Sequence, residues 1–191
     1  MYKFGEEISY DFDLLKADDY DSLQLFKCGN EILDDHIKSK VIKDGSIIDQ
    51  DGLYFKFTDK SNGQIIAVVS LASSGILMDV TPFTQILPSI KIDVFAVHED
   101  FQKKHYDIES LESPIPDEHY YFSDDLLGHT LGHCNTMIEK YALANYIVVY
   151  ADKDAYRFYE RNNFRNFENY MVKEHNMEVA KNIPMYLDLN N

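Results

Sequence analysis

Asp152-Lys153-Asp154-Ala155-Tyr156-Arg157-Phe158-Tyr159-Glu160-Arg161-Asn162-Asn163-Phe164 is the stretch on which the reading of this chain turns. It follows a strand-like run, Tyr146-Ile147-Val148-Val149-Tyr150, and its spacing predicts a helix over Ala151–Arg161. Ala155, Phe158 and Tyr159 stand at i, i+3 and i+4, so they share one face. Asn162-Asn163 reads as a left-handed stop, after which Phe164 returns to the core.

Working backward, Tyr10 to Leu15 reads as a first strand, and Asn30 as the N-cap of a helix with apolar positions Ile32, Leu33, Ile37 and Val41. Gly52–Thr58 and Gln64–Ser73 form a hairpin about the turn Ser61-Asn62-Gly63. Ser89–Val97 is a third strand. A helix is expected from Ser123, as N-cap with Asp124 and Asp125 behind it, to about Leu143. Closing strands are expected near Phe164–Val172 and Pro184–Leu189. Strands first, then strand–helix–strand, predict an α/β (α+β) fold with a mixed sheet of six to seven strands flanked by helices.

The pattern Ala155-x-x-Phe158-Tyr159-x-x-x-x-Phe164 resembles the late helix of the GCN5-related N-acetyltransferases (GNAT), and the order of elements matches that fold from first strand to last. The resemblance implies acetyl-CoA as cosubstrate. It places Tyr159 near the thioester sulfur, as the acid for the departing thiolate. Phe26-x-Cys28-Gly29-Asn30-x-x-Leu33-Asp34 also resembles a bacterial subgroup that includes acetyltransferases of toxin–antitoxin pairs. In the family, a bulged strand frees backbone groups for the pantetheine arm and the acetyl carbonyl. Val94-Phe95-Ala96-Val97 fits that pattern, so Phe95, Ala96 and Val97 are expected to bind the cosubstrate, with N–H groups near Phe95 and Val97 as oxyanion donors. Asp152 falls where many members carry an asparagine that touches the coenzyme.

The pyrophosphate loop departs from the family. Gln102 matches the first position of (Q/R)-x-x-G-x-(G/A), but His105 and Asp107 replace the small residues that let backbone N–H groups approach phosphate. Three readings stay open: Lys103 and Lys104 supply compensating charge, Gly128 and Gly132 mark a shifted phosphate site, or coenzyme A binds weakly. An inserted polar segment follows over about 108–122.

Direct attack by an amine calls for a base. Asp93 shares a strand face with Lys91, Phe95 and Val97 and is the candidate, on the expectation that burial raises its pKa; otherwise it is a solvated or ion-paired strand residue. His98 and Glu99 are rivals. Tyr159 is expected to serve at an ordinary phenol pKa, the alternative being a core tyrosine. His129 and His133 are four apart on a helix, yet Thr130 stands where a zinc protease needs glutamate, so a structural role and no metal are expected. Cys28 and Cys134 are too few for a disulfide framework and read as small apolar residues.

Composition sets the class. The chain has 191 residues with 45% hydrophobic content, and its mean hydropathy is −0.35. A single domain over 1–191 that buries a sizeable core is expected. The longest apolar run, Ile65–Met78, is broken by Ser70, Ser73, Ser74 and Gly75, and the N-terminus lacks a basic-then-apolar plan, so a cytoplasmic location and no membrane partner are expected. Net charge is −15. Such a field repels nucleic acid and attracts cations, or simply confers solubility. The partner expectations are therefore a small cationic amine or a basic peptide or protein as acceptor, no nucleic acid, and a homodimer as the assembly to test. The functional expectation is acetyl transfer from acetyl-CoA to such an amine. The alternative is a non-catalytic binding or regulatory protein whose loop has degenerated.

Overall fold

The computed structural model describes residues 8–43, 46–47, 52–80, 83–102, 104, 121–141, 144–167 and 181–189. In chain order the elements are β1 (Tyr10–Leu14), α1 (Tyr20–Leu25), α2 (Glu31–His36), the short strands β2 (Ile42–Lys43) and β3 (Ser46–Ile47), β4 (Leu53–Asp59), β5 (Ile65–Val80), β6 (Phe83–Val97), α3 (Glu99–Gln102), α4 (Phe122–Tyr141), β7 (Tyr146–Ala151), α5 (Tyr156–Arg161), β8 (Arg165–Asn166) and β9 (Ile183–Asp188). The main sheet has seven strands in the order β1-β4-β5-β6-β7-β9-β8. It is mixed, as expected: β6 and β7 run parallel, whereas β1–β4, β7–β9 and β8–β9 are antiparallel.

The chain divides into two compact units, Met1–Ser70 with Val94–His129, and Leu71–Asp93 with Thr130–Asn191. In the first, the core joins Leu23, Phe26, Ile37, Val68, Val94 and Ala96. Asn30 caps α2 as the sequence predicts, accepting the N–H groups of Ile32 and Leu33 at 3.1 and 3.2 Å. α2 ends at His36 and continues as one π turn, Ile37–Val41, so Ile37 and Val41 carry the burial while Ile32 is 82% exposed. The turn before β5 has Gly63 at φ 74°, a left-handed conformation that glycine adopts without steric cost.

In the second unit, β7 is buried along Ile147, Val148 and Val149, and Met185 of β9 is fully buried. α5 starts later than predicted. Residues 153–155 form a turn in which the Asp152 carbonyl accepts the Ala155 N–H at 3.0 Å. The left-handed stop is where the sequence puts it: Asn163 has φ 68°. Around it, the Tyr159 carbonyl accepts the N–H groups of Asn162 and Phe164, both at 3.0 Å.

Four further boundaries differ from expectation. β5 and β6 are longer than predicted, running to Val80 and from Phe83, because pairing between sheet neighbours extends strands past the run that local propensity marks. α4 begins at Phe122, which is buried, so Ser123 lies inside the first turn and is not the cap. There the Asp124 carboxylate accepts the Tyr121 N–H at 3.1 Å. β8 spans only Arg165–Asn166, and the rest of the strand expected to Val172 lies outside the described residues from 168 onward. The inserted segment also lies outside them, apart from Tyr121 and Phe122. The Phe122 N–H donates to the Lys104 carbonyl at 2.9 Å.

A left-handed φ costs a non-glycine residue about 1–2 kcal/mol, least for asparagine. Asn163→Val should therefore lower the melting temperature by roughly 2–8 °C in a chain of this size, whereas Asn163→Gly should match or exceed the parent. Equal melting of the valine variant and the parent in calorimetry would contradict this account of the turn.

Candidate active site

In the first unit, the end of β6 and the residues after it form a clamped corner. The Gln102 amide donates to the Cys28 carbonyl at 2.6 Å and to the Val97 carbonyl at 2.8 Å. The Glu99 N–H donates to the Lys27 carbonyl at 2.9 Å, and the His98 N–H to the Ile66 carbonyl at 2.8 Å. The Phe26–Asp34 motif thus supplies the other side of the clamp. Cys28 donates its own N–H to the Asp34 carboxylate at 2.7 Å, and the Phe26 ring meets the His98 ring edge-on at 5.7 Å. These partners are far apart in sequence, which is why the motif and the glutamine read as separate features there. Both amide hydrogens of Gln102, expected to face the cosubstrate, are taken up by this clamp. Lys104 is exposed and its ammonium lies 4.4 Å from the centre of the Phe101 ring. Lys103, His105 and Asp107 lie outside the described residues.

β6 is paired with β7 from Ser89–Tyr146 to Ile92–Val149, and that ladder stops there. Val94-Phe95-Ala96-Val97 lies past its last pair. Ala96 and Val97 are buried and Phe95 is half-buried. Toward β7, the register thus ends where the resemblance leads one to expect a departure from regular pairing.

Asp93 does not meet its expectation. It is exposed and ion-paired with Lys91, whose ammonium also lies 5.4 Å from the centre of the Tyr150 ring. The alternation along β6 explains this. Ile90, Ile92, Val94 and Ala96 turn inward, which sends residues 91 and 93 outward. The burial that was to raise its pKa is absent. His98, its rival, is buried; its Nδ1 accepts the Asp100 N–H at 3.2 Å, and its ring also meets Phe101 edge-on.

In the second unit, Tyr159 is 8% exposed and packs edge-on against Phe158 and Phe164, at 5.1 and 5.4 Å between ring centres. Among the described residues nothing hydrogen-bonds its hydroxyl. Burial pushes its pKa above the ordinary phenol value, so the expectation of an unshifted phenol is corrected. Asp152, by contrast, is exposed and its carboxylate accepts the Asp154 N–H at 3.0 Å, which shapes the turn into α5.

His129 packs against Tyr10, Phe12 and Phe57, with ring centres 5.7, 5.1 and 5.5 Å away. Among the described residues no group of three or more histidine, cysteine or acidic side chains could hold a metal. Gly128 and Gly132 stand exposed on α4 with nothing close to them. Burial raises the thiol pKa to about 11 at Cys28 and about 12 at Cys134, in keeping with apolar packing. No helix among the described residues is long and apolar enough to cross a membrane.

No protein-family profile and no curated protein matches the chain. Solved structures do. A tyrosine-to-phenylalanine mutant of the toxin AtaT, bound to the C-terminus of the antitoxin AtaR and acetyl-CoA, is 15% identical, with a TM-score of 0.65 over 95% of this chain and 94% of that one. AtaT complexed with acetyl-methionyl-tRNAfMet is 15% identical, with a TM-score of 0.65 over 95% of this chain and 96% of that one. The KacTA–DNA complex is 15% identical, with a TM-score of 0.64 over 95% of this chain and 94% of that one. The fold is that of the GCN5-related N-acetyltransferases. This agrees with the resemblance of the Phe26–Asp34 motif to acetyltransferases of toxin–antitoxin pairs. One expectation falls with it. Proteins of this fold are solved with tRNA and with DNA, so the exclusion of nucleic acid, and with it the small amine or basic peptide as acceptor, is withdrawn. The physical reason is that net charge is a sum over the whole surface. Beyond about 8–10 Å salt screens it, and local charge decides binding.

Two outcomes follow from this geometry. Gln102→Leu should lower stability by about 1–3 kcal/mol, because two part-buried carbonyls lose their donor, and Gln102→Glu should be at least as damaging. Parent-like melting of both variants would remove the clamp. The second concerns alkali. The folded state holds the neutral phenol of Tyr159, while an unfolded tyrosine titrates near ~10. Above that pH the unfolded chain releases its proton first, so stability falls as pH rises further. Tyr159→Phe should flatten that alkaline loss in melts at stepped pH, and an unaltered slope would count against the burial of the phenol.

Proposed function

We propose that this protein transfers the acetyl group of acetyl-CoA to the α-amine of an aminoacyl-tRNA. The observation that carries the reading is the placement of Tyr159, buried and with no hydrogen bond to its hydroxyl among the described residues, on the helix that resembles the thiolate-facing helix of the acetyltransferases. Support for the acceptor comes from the solved toxins of the same fold, one bound to acetyl-CoA and one complexed with an acetylated aminoacyl-tRNA.

The chemistry of the base points the same way. Asp93 is exposed and ion-paired, which suits weak assistance and not removal of a firmly held proton. A lysine amine, titrating near ~10.4, would need such removal, whereas an α-amine, near ~8, is already partly neutral at physiological pH. The amine nitrogen attacks the thioester carbon and the C–S bond breaks. Tyr159 gives its proton to the departing sulfur, and the surplus ammonium proton passes to solvent or to Asp93. In this reading, backbone groups of Phe95, Ala96 and Val97 hold the pantetheine arm and the developing oxyanion. Lys103 and Lys104 face the pyrophosphate in place of loop glycines, and Asp152 lies near the coenzyme through its turn.

The test uses the full chain, radiolabelled acetyl-CoA and a charged mixture of aminoacyl-tRNAs. Acid-precipitable label should appear, and Tyr159→Phe should cut the rate by roughly 10²- to 10⁴-fold when proton delivery limits it. The variant should keep the thermal shift given by acetyl-CoA, since only a hydroxyl is lost. If acetyl-CoA produced no shift in the parent, the non-catalytic reading would replace this one. A shift without labelling of any aminoacyl-tRNA would refute the acceptor alone.

A further inference from the structure

The chain carries 33 acidic residues against 18 basic ones, yet its arginines all fall in one stretch, Arg157, Arg161 and Arg165. Several lysines elsewhere are neutralised by neighbours: Lys56 pairs with Asp19, Lys60 with Asp11 at 2.9 Å, and Lys91 with Asp93. Among the described residues no carboxylate pairs with Arg157 or Arg165, and both are exposed. Arg161 is half-buried, its guanidinium 5.0 Å from the centre of the Phe158 ring, which fixes the direction of the side chain. Of the acids in this stretch, Asp152 accepts the Asp154 N–H and Glu160 accepts the Tyr156 hydroxyl, while Asp154 stands exposed in the turn.

The backbone places these cations together. Arg157 and Arg161 are four apart on α5 and share a face, on the side of the helix away from Tyr159. After Arg161 the chain turns back through Asn163 and bonds to the helix's own last carbonyls, Glu160 at 3.1 Å and Tyr159 at 3.0 Å. Arg165 therefore starts β8 from the same end of the helix. Its planar fork of donors matches phosphate oxygens two at a time, which a lysine does not do.

We infer that Arg157, Arg161 and Arg165 form the surface that holds the phosphodiester backbone of the RNA acceptor, on the outer face of the helix whose inner face carries Tyr159. This rests on the acceptor proposed above and names the residues that recognise it. Phosphate binding of this kind orients the RNA without reading its sequence. At physiological salt the acidic remainder of the surface is screened beyond about 8 Å, so the local cations govern the encounter.

The experiment is a fluorescence-anisotropy titration of labelled, deacylated bulk tRNA with the full chain across a series of salt concentrations. Arg157→Ala with Arg165→Ala should weaken binding roughly 10-fold and lower the log–log salt slope by about 2, one for each guanidinium removed from a phosphate. Arg157→Lys with Arg165→Lys should keep the slope. The thermal shift given by acetyl-CoA should be the same in all three proteins. A parent that does not bind tRNA, or an alanine variant that binds as the parent does, overturns the inference. So does parallel loss of the acetyl-CoA shift, which would put the guanidinium groups on the phosphates of the cosubstrate. Arginine-dependent tRNA binding by a parent that transfers no acetyl group upholds the RNA surface and sinks the transfer reaction.

Discussion

β6 loses its partner on one side at Ile92, and the candidate chemistry depends on what happens there. Up to that residue it pairs in parallel with β7, through Val149. Beyond it, Val94-Phe95-Ala96-Val97 continues with Val94, Ala96 and Val97 buried, and the chain leaves the strand through the hydrogen bond from His98 to Ile66. A strand that keeps its core face while its ladder ends on one edge can place backbone groups beside a substrate without unravelling. Gln102 secures the exit by tying Val97 to Cys28, so the F-x-C-G-N motif acts as a brace for the loop that follows.

The second constraint is local to α5. A helix of six residues has little stability of its own. Here Asp152 opens the preceding turn, Asn163 closes the helix in the left-handed conformation, and the Tyr159 carbonyl receives two N–H groups from that turn. The same turn sets the ring of Phe164 against the ring of Tyr159. The tyrosine is thus held from its backbone and from its ring, and its hydroxyl is left to interact with something else. Burial raises the pKa of that phenol, which keeps it protonated over any ordinary working pH and makes it a donor first and an acid second.

Net charge and local charge separate clearly in this chain. A sum of −15 suggests avoidance of nucleic acid, yet proteins of the same fold are solved with tRNA and with DNA. In our proposal the arginines near α5 reconcile the two. Lys56, Lys60 and Lys91 are paired with carboxylates, while among the described residues Arg157 and Arg165 are not. Composition counts charges without regard to which are already neutralised.

The sequence by itself determined the mixed fold, the helix that carries Tyr159, the stop at Asn163, the Asn30 cap and the turn at Gly63. Each of these is decided by periodicity or by residues a few positions apart, where backbone sterics and short hydrogen bonds dominate. Only the tertiary structure decided the rest. Whether Asp93 is buried depends on which face of β6 meets the core, and sequence alternation leaves that choice between two faces. That Gln102 serves Cys28 and Val97, and that β5 and β6 outrun their predicted ends, come from interactions made once the sheet has formed. Most of those interactions join residues far apart in the chain, and no local pattern encodes them.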